Sequence, residues 1–153
     1  MSHPFIEHLK NDHEAQRQLA DKLSTAKTKE EKENYRQALA DALYPHIEGE
    51  DASIFNYLKS KGGEARKGAL EAMQEHHLDR ILLWELMDLD IDDEIFSAKA
   101  KVLAEVNAHH LDEEEEEHFP KIEDLATPAE LDELFQAYEQ REEEVKAHEP
   151  FVE

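Results

Sequence analysis

The sequence predicts an all-α protein, and three features carry the prediction. Glycine and proline are scarce, four and five in 153 residues, while Ala, Leu, Glu and Lys, which lose little on entering a helix, are abundant. β-Branched residues are too sparse to build a sheet. Apolar residues recur at helical spacing through four long stretches divided by turn signals, with a fifth stretch behind them. The expected architecture is an up-down-up-down antiparallel four-helix bundle with an additional C-terminal helix. The whole chain, 1–153, reads as one domain, with the bundle over about 3–120 and the last helix over about 128–147.

The first helix should begin near Ser2-His3-Pro4, where proline suits the opening turn. It runs to about Ala26 with Ile6, Leu9, Ala20 and Leu23 inward. Thr28 and Glu31 have capping-box spacing and open the second helix, which carries Tyr35, Leu39, Ala42, Leu43, Ile47, Ile54 and Leu58 and ends at Gly62-Gly63. Pro45 lies inside this helix, deletes one backbone hydrogen bond and should bend the axis beside His46. The third helix, about Glu64 to Leu89, is expected to pack through Ala69, Leu70, Met73, Ile81, Leu82, Trp84 and Leu86. Asp90 to Asp93 make the next turn. The fourth helix then runs to about His118 with Val102, Val106 and Leu111, and Pro120 breaks or kinks its end. Thr127-Pro128 reads as an N-cap and first residue of the fifth helix, which packs through Leu131, Leu134, Phe135 and Tyr138.

Composition excludes several functions. With no cysteine there is no disulfide, thiolate zinc site, iron-sulfur cluster or cysteine nucleophile, so any metal must be held by nitrogen and oxygen. The net charge of −22, from 39 acidic and 17 basic residues, repels nucleic acid and anionic membranes. No basic and apolar leader opens the chain, and no stretch approaches the roughly 20 apolar residues of a membrane span, so the expected compartment is the cytoplasm.

Within this acidic background one pattern occurs twice, as His46-Ile-Glu-Gly-Glu50 and His110-Leu-Asp-Glu-Glu114, each the same distance before Phe55 or Phe119. A spacing of four stacks imidazole and carboxylate on one helical face, so each pair can offer a nitrogen and an oxygen to one cation. Helices one and three also match. Asp12-His13 followed by Leu19 and Leu23 parallels Glu75-His76 followed by Leu82 and Leu86. The first two helices thus look like a rough copy of the next two, which implies a pseudo-twofold axis.

Turn positions bring these residues together. The midpoint of His46 and His76 is Lys61, beside Gly62-Gly63, and that of His76 and His110 is Asp93. The midpoint of His13 and His46 falls at Lys29 and Glu30, next to the Thr28 cap. Residues equidistant from a tight turn lie level in antiparallel helices, here roughly 24 Å from each turn at about 1.5 Å per residue. Four imidazoles and two carboxylates at one height would serve two adjacent first-row metals, with the glutamates able to bridge. On the third helix the ligand is His76 or His77. Alignment with His13 favours His76, whereas the stripe Leu70, Met73, Ile81 and Trp84 centres on His77.

These residues together resemble the hemerythrin-like, or HHE cation-binding, family over about residues 3–125. The resemblance rests on Asn11-Asp12-His13-Glu14, His46-x-x-x-Glu50, Glu75-His76-His77 and His110-x-x-x-Glu114 with Phe119-Pro120. It implies a non-haem centre of two iron ions, oxo- or hydroxo-bridged, that binds or senses dioxygen or handles peroxide, nitric oxide or iron. Carried over by position, its metal ligands are His13, His46, Glu50, His76 or His77, His110 and Glu114. The chain departs from animal hemerythrins in two places. Their third helix has two histidines four apart, whereas Ala72 and Met73 stand four before His76 and His77. Their fourth-helix carboxylate lies five after its histidine, where this chain has Glu115; Glu114 is preferred because it matches Glu50. Two other readings are a ferritin-like di-iron oxidase and a metal-free acidic helical binding module. The first needs a Glu-x-x-His on each of two helices, and only Glu115-x-x-His118 stands in the four main ones.

Overall fold

The computed structural model describes residues 2–148, His148 by its backbone. Among these residues there are five helices and no strand. Helix α1 spans Pro4–Thr25. Helix α2 spans Lys29–Glu50 and continues through a π-helical turn, Asp51–Phe55, into Asn56–Ser60. Helix α3 is Gly63–Asp88. Helix α4 is Phe96–Glu113, again continued by a π-helical turn, Glu114–His118, and by Phe119–Leu125; α5 is Pro128–His148. The arrangement is a hemerythrin-like bundle with an extra C-terminal helix.

The caps follow from the sequence. Glu31 N–H donates to Thr28 Oγ1 and Thr28 N–H to the Glu31 carboxylate, both at 3.1 Å, completing the expected capping box. Thr127 and Glu130 repeat this exchange at the start of α5. Gly62 and Gly63 have φ of 71° and 56°, a backbone region that side chains disfavour, and they turn the chain from α2 into α3. Pro45 is carried inside α2. Pro120 does not end α4, which runs on to Leu125. The amide that Pro120 lacks would reach back to Glu116, inside the π turn, where regular bonding is already shifted.

Helices α1 and α4 pack together, as do α1 with α2, α2 with α3, and α3 with α4; α5 lies chiefly along α2. The interior has two apolar halves. One contains Phe5, Ile6, Leu9, Ile54, Phe55 and Phe119, and α5 adds Leu131 and Tyr138 to it. The other contains Leu23, Leu39, Leu43, Leu83, Leu86, Phe96 and Leu103. Between them lies a belt of buried polar residues: His13, Gln16, His46, Glu50, Ser53, His76, Asp79, Asn107, His110 and Glu114.

The belt explains where sequence patterning misplaced a face. Leu70, Ile81 and Trp84, expected inside α3, are 43, 39 and 58% exposed, and Val102 of α4 is 49% exposed. The buried seam of α3 is Ala65, Ala69, Ala72, His76, Asp79, Leu83 and Leu86, alternating steps of four and three. Small and polar residues occupy most of that seam because the site fills its middle. The larger apolar residues therefore suggested a stripe on the neighbouring face.

Candidate metal centre

Each helix of the bundle delivers one imidazole to the centre, and α2 and α4 each add a carboxylate. His13, His46, His76, His110, Glu50 and Glu114 are at most 1% exposed. They form two groups that could each hold a cation, His13, His46, Glu50 and Glu114, and Glu50, His76, His110 and Glu114. Within each group the ligand atoms lie within 4.8 Å of one another. Glu50 and Glu114 belong to both, as two adjacent ions bridged by carboxylates require.

The close approaches converge on nitrogen Nε2. His13 Nε2 lies 3.0 Å from Glu114 and 3.6 Å from Glu50, and His46 Nε2 lies 3.2 Å from Glu50. His76 Nε2 lies 3.2 Å from both glutamates, and His110 Nε2 touches Glu114. Yet His13, His46 and His110 Nε2, both oxygens of Glu50 and one of Glu114 make no hydrogen bond. Buried polar atoms that crowd together without bonding are costly alone, and cations between them would satisfy them. The donor set therefore fits a metal pair.

The outward nitrogens are all held, by a second symmetric set of acids. His13 Nδ1 donates to Glu115 at 2.7 Å and His76 Nδ1 to Asp51 at 2.6 Å; each acid directly follows one of the central glutamates. His46 Nδ1 donates to Asp12 at 3.2 Å and His110 Nδ1 to Glu75 at 3.1 Å; each of these acids directly precedes a central histidine. A carboxylate can only accept, so every Nδ1 carries its proton and every Nε2 faces inward. Arg17 and Arg80, four residues beyond His13 and His76, then brace Glu115 and Asp51 at 3.1 and 2.8 Å. Tyr138 breaks the symmetry. Its hydroxyl accepts from His46 Nδ1 at 2.8 Å and donates to Asp12 at 2.7 Å.

Charge is matched inside the belt. Burial opposes a charged imidazole, but the charge of Glu50 and the bond to Asp12 outweigh it, raising His46 to about 9. Burial is likewise overcome at His110, where Glu114 and Glu75 hold the imidazole at about 9. His13 and His76 move upward too. Glu50 falls to about 2 despite burial and the nearby Glu114 charge, because His46 and His13 hold it ionised. Protons on the imidazoles thus play the part that metal would take.

The expected residues separate clearly. His77 is exposed and belongs to neither group, so the alternative to His76 is not supported by position. Glu114 enters the centre, while Glu115 holds His13 from outside. Phe119 stacks on His13 at 5.3 Å and Phe55 meets His76 edge-on at 5.4 Å. A third grouping, Glu75, His109 and Glu113, is partly exposed, and Glu75 is already engaged by His110. Tyr57 bonds to Leu125 and Glu130, away from the centre. The tyrosine that reaches it is Tyr138, from a helix expected only to pack.

The roles of Asp51, Glu115 and the arginines were not read from sequence. The signal was nonetheless present, because Asp12 and Glu75, Asp51 and Glu115, and Arg17 and Arg80 recur at nearly the offset that relates the histidines.

An all-helical bundle with two buried His/Glu groups sharing two carboxylates defines a cation-binding protein suited to a dimetal site. The model of the hemerythrin HHE cation binding domain matches residues 5–122, and the chain belongs to that family. None of the curated proteins and none of the solved structures matches it. Among the described residues no helix is long and apolar enough to cross a membrane.

Proposed function

We propose that the chain holds two non-haem iron ions and uses them to bind a small ligand such as dioxygen, peroxide or nitric oxide. In this reading His13, His46, Glu50 and Glu114 would hold one ion, and His76, His110, Glu50 and Glu114 would hold the other. The observation that carries it is the sharing of Glu50 and Glu114 by two buried four-donor groups in which His13, His46 and His110 Nε2, both oxygens of Glu50 and one of Glu114 lack hydrogen bonds. Imidazole with carboxylate suits iron, manganese or zinc, and the family resemblance favours iron. Such a pair would supply two adjacent redox-active Lewis acids in a poorly hydrated site.

The surrounding residues orient and isolate. Asp12, Asp51, Glu75 and Glu115 fix all four rings with Nε2 inward, and Phe55 and Phe119, both buried, pack against His76 and His13. Two divalent ions with Arg17 and Arg80 would balance the six carboxylates that approach the four imidazoles. Because Tyr138 of α5 bonds to His46, the C-terminal helix is part of the same metal-binding unit.

A ferritin-like oxidase has less support. In its lone Glu-x-x-His motif, Glu115 is engaged by His13 and Arg17, and His118 packs against Phe55. A metal-free binding module would bury four imidazoles and two carboxylates for no purpose.

Anaerobic Fe(II) loading tests the proposal, followed by separate additions of oxygen, peroxide and nitric oxide watched optically. Uptake of two irons per chain and a spectral change with at least one ligand are expected. A folded chain that takes up no Fe(II), and whose melting temperature ignores it, would sink the proposal, since binding only the folded state must stabilise it.

A further inference from the structure

The two sides of the imidazole layer differ in kind. Glu50 and Glu114 follow His46 and His110 by one turn and lie toward Phe55 and Phe119, so the shared carboxylates close that side. On the other side, about 4.5 Å away for a step of three residues, stand Gln16, Leu43, Asp79 and Asn107, one from each helix of the bundle. All four are buried, the polar three at 0, 0 and 3% exposure.

Apart from one bond, from Asn107 Nδ2 to Gln16 Oε1 at 3.1 Å, this layer is unsatisfied. Gln16 Nε2, Asn107 Oδ1 and both oxygens of Asp79 find no partner in the protein. A structural polar core would be expected to pair its groups, and an apolar one to omit them. The internal repeat sharpens the contrast: Gln16 corresponds to Asp79, and Leu43 to Asn107. The layer is therefore more polar beneath His76 and His110 than beneath His13 and His46.

We propose that Gln16, Asp79 and Asn107 form the hydrogen-bonding face of the ligand site, contacting a small ligand that both accepts an N–H and donates an O–H, of the class of hydrogen peroxide, hydroxide and water. This inference rests on the dimetal reading. Gln16, held by Asn107, supplies the N–H, and Asp79 accepts the O–H. A ligand that can only accept gains from Gln16 and is opposed by the Asp79 carboxylate.

Azide is such a ligand and serves as the probe. The Fe(III)-loaded chain is titrated with azide at about pH 8, where a carboxyl group is ionised. Optical titration gives its affinity and the infrared azide stretch its environment, and iron content is measured on every sample. Gln16→Met and Asp79→Asn are near-isosteric, so both should fold. Gln16→Met is expected to weaken azide about three- to tenfold, the worth of one hydrogen bond, and to shift the stretch. Asp79→Asn replaces an acceptor by an amide donor and should tighten azide by a similar factor. Changes in the same direction, or affinities and stretch frequencies unchanged in both variants with iron at wild-type content, would overturn this assignment alone. A wild-type chain that takes up no iron would overturn the dimetal reading and this face together.

Discussion

At the scale of single residues, the centre works by giving each imidazole two different neighbours. Nε2 faces the shared carboxylates, and Nδ1 is anchored by an acid adjacent in sequence to another member of the site. Removing an anchor should loosen the ring without deleting a ligand. Glu115→Gln and Asp51→Asn are expected to weaken metal binding by about 10- to 100-fold while leaving the saturated stoichiometry unchanged, as read by competition with a chelator. His46→Ala and His110→Ala remove ligands themselves and should lower metal content while circular dichroism shows helicity retained. The direct ligand candidates were legible because imidazole and carboxylate at a spacing of four point to one chemistry. Their anchors were not, since in a chain with 39 acidic residues an Asp or Glu beside a histidine looks like any solvated face.

At the scale of elements, two features position the centre. Each His-x-x-x-Glu segment runs into a π-helical turn, Asp51–Phe55 or Glu114–His118, and each turn is followed or ended near the phenylalanine that covers the glutamate side. Such turns insert a residue into the helical register, so spacing beyond Glu50 and Glu114 departs from the regular period. That is why Pro120 misled as a helix end, while the spacing of His46 with Glu50 and of His110 with Glu114, before the turns, keeps the regular period. The second feature is the seating of α5. A Cβ on Gly49 would lie 2.6 Å from the Tyr138 ring, so a bare backbone there lets Tyr138 approach His46. Gly49→Ala should destabilise the chain by about 1–3 kcal/mol in urea unfolding through overpacking. Adding Tyr138→Phe should not relieve that clash, because the ring remains.

At the scale of the whole molecule, stability and metal binding are linked through protons. His46 and His110 move from 6.5 to about 9 in the folded chain. A group whose pKa rises on folding contributes stability fully below its unfolded value and loses it as pH rises through the folded one. The metal-free chain should therefore melt lower as pH increases from about 6.5 to about 9, a range set by these two histidines, as calorimetry would show. Metal affinity should rise over that range, because metal uptake displaces those protons. A melting temperature flat across it would contradict the charge pairing.

The bundle, its caps and the level of the histidines were legible because helix length and turn position suffice to set height. The inward face of α3 was not, because Ala65, Ala69, Ala72, His76 and Asp79 give its seam too little apolar character to read. The choice between His76 and His77 depended on that face.

In the proposed centre Glu50 and Glu114 join two ions into one site. Metal content after anaerobic Fe(II) loading, compared between the wild-type chain and Glu114→Ala, tests it most directly. Two ions per chain are predicted for the wild type, with both positions weakened together in the variant. A wild-type chain saturating at one ion, or a Glu114→Ala chain that keeps two with unchanged affinity, would contradict it.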